Sequence, residues 1–152
     1  MEAKVIWQNG LAFTGIANKG YQIQLDSNPS DNAASPMELV AMAIAGCTAM
    51  DVISVLEKKR EAVTSFEVKV HANRAADYPK VFTKADVEYI VVGHDVQEEA
   101  VIRAIELSVT KYCPVHAMME KVFPIDLHYS IYEDEGSGKQ RLVKQGIYQH
   151  TH

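Results

Sequence analysis

From Leu39 to Met50 the chain reads LVAMAIAGCTAM, and no charge falls between Glu38 and Asp51. Wound into a helix, such a run is apolar on nearly every side and has to be covered all round. Its start is well marked. Ser35 is a good N-cap, Pro36 suits the first helical position, and Glu38 completes an S-x-x-E capping box. The helix is expected from about Pro36 to Arg60. Its second half, DVISVLEKKR, turns amphipathic and ends basic, as suits a helix C-terminus. A lone domain of 152 residues has few ways to cover such an element, so the segment points to a second copy of the chain.

Around this helix the apolar residues recur with a period of two, the mark of half-buried strands. Lys4–Gln8 and Leu11–Ala17 flank Asn9-Gly10, a strong signal for a two-residue hairpin turn. Asn18-Lys19-Gly20 makes a second turn, and Tyr21, Ile23 and Leu25 form a third strand. Asp26–Ser35, DSNPSDNAAS, is a loop of turn formers. Beyond the long helix, Phe66, Val68, Val70 and Ala72 alternate with polar residues, as do Val81, Ala85, Val87, Tyr89 and Val91. A second helix is expected from about Val96 to Tyr112, a short third one from Pro114, and a last strand through Ile125, Leu127, Tyr129 and Ile131. Glu133–Gln140, EDEGSGKQ, reads as a linker. The order is βββ-α-ββ-αα-β, an α+β domain over residues 1–132, with 133–152 as linker and C-terminal tail.

A net charge of −5 argues against a nucleic-acid or anionic-membrane partner. The start, MEAKVIWQNG, lacks the basic and apolar regions of a signal peptide. The longest uncharged apolar run, Leu39–Met50, falls short of the ~20 residues that span a bilayer. The expectation is a cytoplasmic protein, whose two cysteines are thiols at rest or a transient redox pair.

The second cysteine stands in KYCPVH, Lys111–His116. It continues the face of Ile102, Ile105 and Val109, so it points inward. Pro114 disfavours a helical Cys113 and is a natural first residue for a new helix. Cys113 is thus expected at an N-cap, facing unpaired N–H groups that favour thiolate. Cys47 lies among Ala43, Gly46, Thr48 and Ala49, small residues that let another backbone or a small ligand approach. In a buried, charge-free segment it is inert unless a cation or donor stands nearby. Two inert core thiols are the competing reading. A zinc site at Cys113-x-x-His116 lacks a second pair of ligands, because His71, His94 and His128 fall on polar strand faces or in a turn. No metal and no cofactor are expected.

SPMELVAMAIAGCTAMDVISVLEKKR, followed much later by KYCPVH, resembles the OsmC/Ohr family of osmotically inducible and organic hydroperoxide resistance proteins. The resemblance spans roughly residues 1–132. It implies an intertwined homodimer, with long helices at its centre and two active sites at the subunit interface. It implies that Cys47 attacks the peroxide O–O bond, becomes a sulfenic acid and is resolved by Cys113, with an external thiol as reductant. Two positions depart from the family pattern. The glutamate usual after the proline is replaced by Met37, which leaves Glu38 as the nearest carboxylate. No arginine precedes Arg60, so only Lys4 and Lys19 are basic in the first hairpin region. These departures place the chain closer to a branch without a settled role. Hydroperoxide reduction by Cys47, Cys113 and Glu38 is the expected activity. The alternative is a non-catalytic dimer that binds a small apolar or electrophilic molecule in the interface pocket. Glu38 and Cys47 lie nine residues apart on one helix, about 13 Å of rise, so a catalytic Glu38 would serve a second chain's Cys47.

Overall fold

The computed structural model describes residues 1–27 and 32–149. The middle of the expected loop Asp26–Ser35 and the last three residues of the expected tail lie outside the described residues. The chain forms two compact units, 1–42 and 43–152.

In the first unit β1 (Ala3–Asn9), β2 (Ala12–Ala17) and β3 (Gln22–Leu25) make an antiparallel sheet in sequence order. The first turn lies one residue beyond the expected Asn9-Gly10. Asn9 pairs with Ala12, which leaves Gly10 and Leu11 between the strands. Gly10 takes φ +51°, which suits a residue without Cβ, and its carbonyl accepts the Trp7 indole N–H at 3.0 Å. Val5, Trp7, Tyr21 and Ile23 remain exposed on this sheet, Trp7 by 64%. The unit ends in the start of α1 (Pro36–Lys58), and the capping box closes in both directions. The Ser35 N–H donates to Glu38 Oε1 at 3.1 Å, and the Glu38 N–H donates to Ser35 Oγ at 3.2 Å.

The second unit holds the rest of α1, then β4 (Ala62–Arg74), β5 (Phe82–His94), α2 (Glu98–Leu107), α3 (Pro114–Met119), β6 (Ile125–Gly136) and β7 (Lys139–Tyr148). The sheet order is β4-β5-β6-β7. Its one parallel pair, β5 with β6, is the pair that the helical segment connects. Val87, Tyr89 and Val91 of β5, Leu127 and Ile131 of β6, Val101 and Ile105 of α2, and Ile44, Val52 and Leu56 of α1 build the core. α1 stops at Lys58, two residues short of the expected Arg60, which adopts φ +58° in the turn that follows. The Arg60 N–H then reaches the Glu57 carbonyl and the Glu61 N–H the Leu56 carbonyl, a Schellman closure without the usual glycine.

Three expectations change. Residues 133–148 are not a linker and tail. The GSG of EDEGSGKQ turns a hairpin, with Gly136 paired to Lys139 and with Ser137 and Gly138 at φ +53° and +75°. Positive φ at both central residues is what a type I′ turn requires. β7 is exposed along most of its length, so its backbone ladder holds it and no alternating apolar pattern announces it. Second, the helix expected through Tyr112 ends at Leu107, and Ser108–Tyr112 forms a π-turn. Third, one chain does not cover α1 all round. Only the stripe Ile44, Thr48, Val52 and Leu56 is buried, while Met42 and Met50 are 54% and 74% exposed. By length and composition alone α1 could cross a membrane, because a few charges can be tolerated beyond the uncharged run. Thr48 and Asp51 put hydrogen-bonded polar groups in the middle of it.

Candidate active site around Cys47 and Cys113

The N-cap expected at Cys113 is formed. Its backbone is extended at φ −80°, ψ 103°, Pro114 opens α3, and the His116 N–H donates to Cys113 Sγ at 3.3 Å. The residue is buried, 3% exposed. Burial outweighs the cap. It pushes the Cys113 thiol up to about 12, against the His116 N–H, which lowers it; the neighbouring Cys47 thiol and the Asp51 carboxylate add to the rise. The expectation that the cap favours thiolate is therefore reversed, because removing charge from water costs more here than one long N–H···S bond returns. Both cysteines are free thiols, with Cys47 half-buried. Cys47 lies near enough to act on the Cys113 thiol.

A thiol raised this far stays protonated at neutral pH. It ionises only well above the range of an ordinary thiol. Alkylation of Cys113 by iodoacetamide, followed by mass spectrometry, should therefore keep accelerating beyond pH 10 rather than level off near pH 9. The sign for stability follows. The fold favours the neutral thiol, so this contribution is complete below pH 9 and is lost as pH climbs toward 12.

Beside the thiols runs a buried polar chain that the sequence reading missed. Thr48 Oγ1 lies 2.8 Å from the Tyr89 hydroxyl and 2.7 Å from Ser108 Oγ, and Ser108 donates to Asp51 Oδ2 at 2.9 Å. Each hydroxyl has one hydrogen to give. With Ser108 committed to Asp51, Thr48 must donate to Ser108 and Tyr89 to Thr48. Burial, the larger cause, and the nearby Cys113 and Asp51 raise the Tyr89 hydroxyl above its ordinary range. Thr48 and Asp51 are the polar residues that follow Cys47 in GCTAMD, and their polarity inside an apolar helix was the available signal.

A cavity of about 950 Å³ opens beside Cys113, lined also by Tyr112, His116, Glu120, Asp126 and Tyr148. His116 is buried, with Nε2 3.4 Å from Glu120 Oε2. Asp86, Asp126 and His128 form the cluster with metal-ligand spacing among the described residues. Lys84 Nζ already sits 2.9 Å from Asp126 and 3.5 Å from Asp86, so a cation is in place there. Glu38 is held in its capping box, where the Ser35 N–H and hydroxyl lower its pKa.

The model of the OsmC family, OsmC-like protein, matches residues 29–128, a stretch that contains both cysteines and stops short of β7. The Escherichia coli K12 protein YhfA is 44% identical over 131 residues, which is 86% of this chain and 98% of YhfA. A protein of Aquifex aeolicus VF5 superposes with a TM-score of 0.79 at 26% identity, over 88% of this chain and 97% of its own. An organic hydroperoxide resistance protein from Elizabethkingia anophelis shares the fold, with a TM-score of 0.62 at 15% identity over 87% and 94% of the two chains. The chain belongs to the OsmC-like family.

Proposed function

We propose that the protein reduces organic hydroperoxides with Cys47 as the attacking thiol and Cys113 as the resolving thiol. What supports this reading is that both cysteines are free thiols in unequal settings, with Cys47 among the groups that act on Cys113. Cys113 is the buried one of the two, which leaves the half-buried Cys47 as the thiol a substrate can reach. The Cys47 thiolate takes the distal peroxide oxygen, the O–O bond breaks, and the alkoxide leaves as the alcohol after protonation. The thiolate sulfur is oxidised to sulfenic acid. Cys113 then attacks that sulfur. An S–S bond forms, the S–O bond breaks, and the Cys113 proton leaves with the hydroxyl as water. Two equivalents of an external thiol return the pair to its reduced form, so no cofactor takes part.

The working form in this reading is a homodimer in the cytoplasm; the uncovered apolar face of α1 and the exposed apolar residues of the first sheet support the dimer. Glu38 is the third proposed site residue, acting on the Cys47 of a second chain. Glutamine keeps the capping geometry but not the carboxylate. Glu38→Gln is expected to lower cumene hydroperoxide turnover about tenfold or more while the melting temperature holds. Unchanged turnover would leave Glu38 as a helix cap alone.

The lack of any arginine before Arg60 favours a second reading, a non-catalytic dimer that traps a small electrophile on Cys47. Repeated turnover of hydroperoxide with excess dithiothreitol separates the two, since a trap stops after one equivalent.

A further inference from the structure

The π-turn carries the next inference, which rests on the redox reading above. In an α-helix the Ser108 carbonyl would bond the Tyr112 N–H. Here it accepts the Cys113 N–H at 2.8 Å, one residue further on. A π-turn takes an extra residue into the helix, is rare, and persists where something specific holds it. What holds this one is visible. Ser108 is fully buried, and its side chain is gripped by Thr48 at 2.7 Å and by Asp51 at 2.9 Å. Both belong to α1, one directly after Cys47 and the other one turn beyond it. The helix that bears the first thiol therefore holds, through two side chains, the residue whose carbonyl fixes the amide of the second.

We propose that Ser108, gripped by Thr48 and Asp51, is a positioning residue that sets the register of Cys113 against Cys47 by stabilising the π-turn. If the turn relaxes to α geometry, Tyr112 takes the place of Cys113 in the hydrogen-bond ladder. The thiol is then rotated by about 100° about the helix axis, away from its partner. The polar chain does not touch the peroxide. It acts on the second step, the closing of the S–S bond.

The test uses the full chain and no peroxide. Reduced protein is equilibrated with glutathione redox buffers, quenched with acid, and the Cys47–Cys113 disulfide is counted by intact mass. Ser108→Ala should lower the disulfide equilibrium constant about tenfold or more, equivalent to some 30 mV in potential. Asp51→Ala should do the same at a half-buried position, which serves if Ser108→Ala does not fold. Asp51→Asn keeps an oxygen that accepts from Ser108 and should stay near wild type. A purely structural role would move the melting temperature of both alanine variants and leave the equilibrium constant in place. Wild-type constants in both Ser108→Ala and Asp51→Ala would overturn the positioning role while the redox reading stands. A wild-type protein that forms no such disulfide in any buffer would overturn both.

Discussion

Replacing Cys47 with serine is expected to abolish hydroperoxide consumption, with a loss of at least about a thousandfold, as befits removal of a nucleophile. A serine hydroxyl of the same shape keeps the packing of this half-buried position, so the fold should survive. Cys113→Ser should behave differently. Cys113 enters only after the O–O bond has broken, so this variant should consume one equivalent and stop as a sulfenic acid, trappable with dimedone. Residual peroxide, followed by ferrous oxidation, gives both numbers. Equal turnover in Cys47→Ser and wild type would remove Cys47 from the chemistry. A Cys113→Ser enzyme that keeps turning over without excess thiol would remove Cys113 from the resolving role.

The second large effect concerns assembly. Met50 lies 74% exposed on a helix that carries no charge between Glu38 and Asp51. Burying that face against a second copy would remove a large methionine side chain from water, about 1.5–3 kcal/mol per residue. A lysine there would bring a charge into the contact at a cost of several kcal/mol. Met50→Lys should thus weaken dimerisation by at least about a hundredfold. Sedimentation velocity across a micromolar dilution series reads this directly. A variant that sediments as wild type would place the contact on another face. A wild-type protein that sediments as a monomer would refute the shared assembly.

How much of this was legible in the sequence depends on which force holds each part. Elements held by their own side chains announced themselves. The alternation through Val87, Tyr89 and Val91, and the capping box at Ser35 and Glu38, named their strand and helix start because the same residues do the stabilising. β7 did not, because a mostly exposed strand is held by its backbone ladder and its side chains carry no period. The π-turn was invisible for a related reason. Ile105, Val109 and Cys113 keep ordinary helical spacing, and the extra residue is held by Ser108 reaching residues nearly 60 positions away. The same limit governs the site. Cys-Pro at a helix break placed Cys113 at an N-cap, which is a local matter. Its ionisation is set by the whole burial of the residue, and local sequence reports only the cap. Thr48 and Asp51 were visible as polar residues in an apolar helix, and only the fold shows that Ser108 answers them.

The central claim is that Cys47 and Cys113 form one redox pair, and counting thiols after a single equivalent of hydroperoxide tests it most directly. Reduced protein is mixed with one equivalent of cumene hydroperoxide, and free thiols and intact mass are read together. The account predicts that both thiols disappear and that the mass falls by about two hydrogens, the signature of a disulfide. Two thiols still free beside unreacted peroxide, or a gain of oxygen with no S–S bond, would contradict it.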